Sequence, residues 1–283
     1  MGLNRRFDLC RAYFSRNRDF DCSLRDLLSK VLRSTCTTLA KPHIAKIMDV
    51  GEYKIIYLRN IKHPLYWPKD IPLYNLYMVI TESLCENDWH YYEVPETRVM
   101  PGDVVLDCGA AEGLFSLKML EHAECIVIEP SPMFIASLTK TFNGKDNVRI
   151  IPDALSSQTG QAYLCAGALN SVLTNATKDS IPEGAIKINT TTIDQLVEDL
   201  GLAKVDYIKG DLESFELEVL QGAARTIRNH KPKIAFTTYH QGNSWKEIRD
   251  FVLSLVPSYG WRVKGLSYSE KSPKPIMIHF WPT

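Results

Sequence analysis

Residues 102–117 read GDVVLDCGAAEGLFSL. The unbroken apolar run Val104–Leu106 suits a strand buried on both faces, and it stops at Asp107, with Gly109 and Gly113 close behind. A buried strand gains nothing by finishing on an acid, whereas glycines turn the chain tightly and let something approach its backbone. The stretch therefore predicts the first strand of an open parallel sheet with a ligand seated past its carboxyl end.

Downstream, the same alternation of apolar run and amphipathic segment continues. ECIVIE (124–129) is a strand, and Ser131 with Pro132 opens a helix along Ile135, Leu138 and Phe142. NVRII (147–151) is a third strand. QAYLCA (161–166) and AIKINT (185–190) are strand-like, and Thr192 with Gln195 makes a capping box before a helix that stops at Gly201. VDYIKG (205–210) and PKIAFTTY (232–239) are the fourth and fifth strands, separated by a helix with an acidic first turn. Ser244 and Glu247 repeat the capping box, and WRVKGLSY (261–268) and KPIMIHFW (274–281) predict a closing antiparallel hairpin. The sum is an α/β fold: a doubly wound, seven-stranded, mostly parallel sheet.

Upstream, residues 1–97 form an extension to a domain over 98–283. Leu24, Leu27, Leu28, Val31 and Leu32 have helical spacing after a cap at Asp21, which suits a packing helix or a homodimer contact. EYKIIYLRNI (52–61) reads as a strand and HPLYWPKDIP (63–72) as a proline-broken loop with exposed aromatics.

The 283 residues, 45% hydrophobic, are enough for an enzyme core. Lys plus Arg equals Asp plus Glu at 33 each, so no overall field favours nucleic acid or an anionic membrane. Seven cysteines without a C-x-x-C pair point to a reducing cytoplasm rather than to disulfides or structural zinc. Neither a signal core nor a span-length apolar stretch is present, so a soluble cytoplasmic protein is expected.

Glu129 closes the second strand 22 residues after Asp107 (129 − 107), near the offset at which an acid receives ribose hydroxyls. A dinucleotide turn usually carries G-x-G-x-x-G. Here the spacing is D-x-G-x-x-x-G, and Asp107 and Glu112 would repel a pyrophosphate while suiting a cationic amino-acid group. A nucleoside with a cationic end is S-adenosylmethionine.

VVLDCGAAEGLFSL, VIEPSP, IPDALSS and DYIKGDLESFELEVLQGA, in this order, resemble the FkbM-type S-adenosylmethionine-dependent methyltransferases over roughly residues 98–256, and KPKIAFTTYHQGNSWKEI extends the likeness. Two positions depart from the family pattern: Gly210 replaces an aliphatic residue, and Ser214 replaces glycine. The resemblance implies a class I, Rossmann-like methyltransferase in which Asp107, Gly109, Ala110 and Gly113 line the methionine end of the cofactor. Glu129 would then take the ribose, Pro130 and Ser131 follow it over the adenosine, and Asp153 and Ala154 meet the adenine.

Methyl transfer needs an acceptor held in line, with a base for its proton. His240, at the end of the fifth strand, is the candidate base. Asp211 and Glu213 would orient the acceptor or meet the sulfonium, with Lys209 as a buried partner of Asp211. No metal ligand is assigned, and a divalent cation is left open. Of the aromatic run Trp89, His90, Tyr91 and Tyr92, only Tyr91 is counted toward the cofactor.

The family likeness favours an O-methyltransferase acting on a sugar hydroxyl or small secondary metabolite. An N-methyltransferase on a peptide side-chain amide, an NAD-linked oxidoreductase and a non-catalytic relative are the alternatives.

Overall fold

The computed structural model describes residues 3–15, 24–165, 172–174, 183–240, 242, 244–267 and 274–283. The cap expected at Asp21 lies outside them. Helices α1 (Leu3–Tyr13), α2 (Leu24–Val31) and α3 (Cys36–Ala40) lead into an antiparallel sheet of β1 (Ile44–Val50), β2 (Tyr53–Leu58) and β3 (Leu65–Pro68), followed by α4 (Leu73–Leu84).

Two features here differ from the expectation. The segment taken for an exposed loop contains β3, and Trp67 within it is fully buried, its indole N–H donating to Ile71 O at 2.9 Å. Prolines flank this strand at its ends, where a missing N–H costs little, and so do not break it. Helix α4 had no sequence signal beyond its own apolar periodicity.

The central sheet comprises β4 (Val104–Cys108), β5 (Glu124–Ile128), β6 (Val148–Ile151), β11 (Tyr207–Gly210), β12 (Lys233–Thr237), β13 (Gly260–Lys264) and β14 (Met277–Trp281). Between β6 and β11 the chain builds a smaller sheet, β7 (Ala154–Leu155), β8 (Gly160–Cys165), β9 (Val172–Thr174) and β10 (Ile186–Thr191), ordered β7-β10-β8-β9. The central order is β13-β14-β12-β11-β4-β5-β6, parallel except for β14, which runs antiparallel to both neighbours. This is the doubly wound, seven-stranded arrangement of the class I methyltransferase fold, and order reverses between β4 and β11, where a ligand crevice forms.

Helices α5 (Leu114–Met119), α6 (Pro132–Thr141), α7 (Ile193–Asp199), α8 (Glu216–Gln221), α9 (Ala224–His230) and α10 (Trp245–Leu255) cover the two faces. The N-cap half of each expected capping box forms: Gln195 N–H donates to Thr192 Oγ1 at 3.0 Å and Glu247 N–H to Ser244 Oγ at 3.4 Å, while the Gln195 side-chain amide donates to Asp199 Oδ1 at 2.7 Å instead of serving the cap. On one face, Trp67, Leu76 and Ile80 of the extension join Val105 and Val127 of the sheet and Leu114 of α5 in one buried cluster. The extension is thus packed as part of the same core, with Tyr66 N–H donating to Thr141 Oγ1 at 3.1 Å. Among the described residues no helix is long and apolar enough to cross a membrane.

Candidate active site

The turn after β4 is pinned from beneath. Register pairs Lys209 with Asp107 across β11 and β4, and the two side chains meet at 3.1 Å, almost wholly buried. Lys209 Nζ also donates to Gly109 O at 2.7 Å, and Ser116 Oγ donates to Asp107 Oδ2 at 2.7 Å. Asp107, expected at the methionine end, therefore lies under the turn and shapes it. Lys209 is correspondingly the partner of Asp107 rather than of Asp211, because a parallel register carries equivalent side chains to the same face.

The glycines have reasons of their own. A Cβ on Gly109 (φ +70°) would lie 2.0 Å from Asp211 O, and one on Gly113 (φ +81°) 2.5 Å from Leu138 Cδ2. Protein packing and left-handed backbone demand both, and of the pair only Gly109 also borders the cavity. The odd glycine at 210 is explained the same way: the Phe236 ring fills its side-chain space, 2.5 Å from where a Cβ would sit. Ser214, in contrast, adopts φ +91°, a conformation that suits the glycine of the family pattern.

Beyond the carboxyl ends of β4 and β5 a cavity opens against Gly109, Glu129, Pro130, Asp153, Ala154 and Asp211. Of the cofactor residues proposed from sequence, Gly109, Glu129, Pro130, Asp153 and Ala154 come together here, with apolar Phe134 and Leu155 beside them. Glu129 is turned inward by two backbone donors, Ala111 N–H and Ser131 N–H, each at 2.9 Å. Burial pushes its carboxyl up to about 7, although those two donors pull the other way. Ser131 starts α6 without a side-chain cap, so its contribution is the backbone N–H.

An adjoining cavity shares Gly109, Ala111, Asp211 and Glu213 with the first and adds Ala110, Glu112, Tyr92 and Glu82 from α4. Burial raises Glu112 to about 7 as well. Tyr91 is a correction: its hydroxyl accepts from Lys118 Nζ at 2.6 Å and faces Glu93, away from the cavity. Tyr92 lies there instead, and its hydroxyl donates to Asp211 Oδ2 at 2.7 Å.

Asp211 follows β11 and is the hub of the polar network. His90 Nε2 lies 3.7 Å from Oδ2, and His240 Nε2 lies 3.6 Å from Oδ1. Against its burial, the charges of His90, His240 and Lys209 and the Tyr92 hydroxyl hold the carboxyl below its ordinary value. His240 borders neither of these two cavities. Its Nδ1 is 2.6 Å from Glu216 Oε1, which also accepts from Thr237 Oγ1 at 2.8 Å and Leu212 N–H at 3.2 Å. Burial by itself would lower the imidazole, but the Glu216 hydrogen bond and the surrounding acids raise it to about 9. The candidate base of the sequence reading thus stands behind Asp211, against Glu216, rather than at the wall of either cavity.

Glu216, Tyr92 and Glu82 escaped the sequence reading. Glu216 looked like dipole complementation of a helix start, and Glu82 sits on the unforeseen α4. Only Tyr92 had a usable signal, its place in the aromatic run.

Residues 107–263, more than half of the chain, match the family model described as the Methyltransferase FkbM domain, and the chain belongs to that family. Its members are S-adenosylmethionine-dependent, and the cavity suits that cofactor: Glu129 would take the ribose and the acids beyond it the cationic end. The hexuronic acid methyltransferase AglP of Haloferax volcanii is 29% identical over 129 residues, which are 45% of this chain and 52% of that protein. The chain thus spans about half the length of the curated relative it matches. A crystal structure of methyltransferase FkbM from Methylobacillus flagellatus KT is similar, with a TM-score of 0.49 and 21% identity over 74% of this chain and 54% of that one. Trm5b from Pyrococcus abyssi is similar with a TM-score of 0.41 and 17% identity, covering 83% and 62%.

Proposed function

We propose that this protein transfers the methyl group of S-adenosylmethionine to a hydroxyl of a carbohydrate acceptor. One observation carries the cofactor reading against an NAD-linked alternative. The two joined cavities are bordered by six carboxylates, Glu82, Glu112, Glu129, Asp153, Asp211 and Glu213, and by one lysine, Lys209, already paired with Asp107. With Lys209 already paired and Asp211 held ionised, that lining disfavours a pyrophosphate and suits a sulfonium and an ammonium. When bound, the cofactor supplies an electrophilic methyl group.

The chain's own residues do the rest. Glu129 receives the ribose diol, and Phe134 and Leu155 cover the base. Asp211, held ionised, receives or orients the acceptor hydroxyl, with Tyr92 fixing one of its oxygens. A third cavity, of about 820 Å³, adjoins at Met78 and Glu82 and includes Lys30, Arg33, Tyr74 and His90. It is the acceptor's entry, built largely from residues 1–97. The carbohydrate acceptor is supported by the hexuronic acid methyltransferase relative.

Calorimetry separates the classes: saturable binding of S-adenosylhomocysteine without NAD binding is expected, and the reverse would overturn the proposal. Labelled cofactor incubated with uronic acid-containing oligosaccharides should yield labelled sugar; labelled peptide instead would move the acceptor to the amide alternative.

A further inference from the structure

His240 presents an unsatisfied atom. Its side chain is 7% exposed, and Nε2 is buried without a hydrogen-bond partner. Glu216 accepts from Nδ1–H and directs the Nε2 edge toward two carboxylates, Asp211 Oδ1 at 3.6 Å and Glu213 Oε2 at 3.5 Å. Both separations exceed hydrogen-bond length, and a lone pair on Nε2 would face two carboxylates with nothing between them unless a cation lay there. The separations are the spacing of two ligands on one ion when each bond is roughly 2.1 Å. Asp211, Glu216 and His240 each bring a ligand atom within 4.8 Å of the others.

We propose that Asp211, Glu213 and His240 bind a divalent metal ion, with Glu216 as the carboxylate that orients the imidazole. One nitrogen and two carboxylate oxygens suit a borderline or hard cation such as Mn²⁺. The hydrogen bond from Nδ1–H to a buried carboxylate is how a ligating histidine is commonly held to one tautomer. Glu213 and Asp211 also border both cofactor-side cavities, so the ion would sit at their wall, open to an acceptor oxygen. The site stands on this geometry and not on the identity of the cofactor.

The test is Mn²⁺ titrated into the full chain and followed by loss of the free-ion electron paramagnetic resonance signal. One Mn²⁺ per chain is expected, with at least a tenfold loss of affinity in both His240→Ala and Glu213→Gln. Glu213 is partly exposed, so its variant decides the matter if His240→Ala does not fold. Absence of stoichiometric binding, or wild-type affinity in the folded variants, overturns the proposal. S-adenosylhomocysteine affinity measured on the same samples reads the methyltransferase assignment separately.

Discussion

Replacing Glu129 by Gln separates what this carboxylate does for the fold from what it does for the ligand. Burial lifts its carboxyl from 4.5 to about 7, which at alkaline pH corresponds to about 3 kcal/mol of disfavoured charge. The sign follows from proton binding. Between pH 4.5 and 7 the folded protein keeps a proton that the unfolded chain has released, so this group's contribution to stability falls as pH rises through that window and is level above it. Glutamine removes the charge but can accept from only one of the two N–H groups of Ala111 and Ser131, and the orphan costs about 1–3 kcal/mol. The unliganded variant should therefore unfold within about 2 kcal/mol of wild type at pH 8 by urea titration.

Cofactor binding should respond differently. A ribose diol on an ionised carboxylate makes charge-assisted hydrogen bonds, and weakening them by about 2–4 kcal/mol lowers affinity roughly 30- to 1000-fold. Wild-type affinity for S-adenosylhomocysteine should fall about tenfold from pH 8 to pH 6 as Glu129 takes up its proton, and most of that dependence should vanish in the variant. Calorimetry at several pH values measures both. Affinity within threefold of wild type, or an unchanged pH profile, would refute the reasoning.

Other substitutions probe the scaffold. Ser214→Gly should stabilise the protein by about 1 kcal/mol, because φ +91° strains any residue with a Cβ; thermal unfolding would register this as a rise of a few degrees at most. Gly109→Ala should cost more than about 3 kcal/mol and abolish cofactor binding, since the new methyl meets Asp211 O; a crystal structure of a stable, ligand-binding variant would contradict this. Lys209→Met should destabilise by about 3–5 kcal/mol by stranding the charge of Asp107, measured by chemical denaturation. Tyr92→Phe should leave S-adenosylhomocysteine affinity nearly unchanged while reducing kcat about tenfold. It should also move the acid limb of the rate profile to higher pH, because Asp211 loses a donor that favours its ionised form.

The parallel strands, their helices and the closing hairpin were legible because each is a local pattern. An apolar run before a glycine turn, or a capping box before an amphipathic stretch, is written in neighbouring residues. The wall of the cavity was legible for the same reason: Gly109, Glu129 and Asp153 sit at strand ends, and strand ends of such a sheet face one crevice. What the tertiary structure alone decided were pairings across the sheet and between the extension and the domain. Register gave Lys209 to Asp107, the loop before β4 put Tyr92 rather than Tyr91 beside Asp211, and Glu216 became the anchor of His240 only when the start of α8 met the end of β12. Those contacts join residues far apart in the chain through a buried, low-dielectric interior, where the position and charge of a partner set a side chain's chemistry more strongly than its neighbours in sequence do.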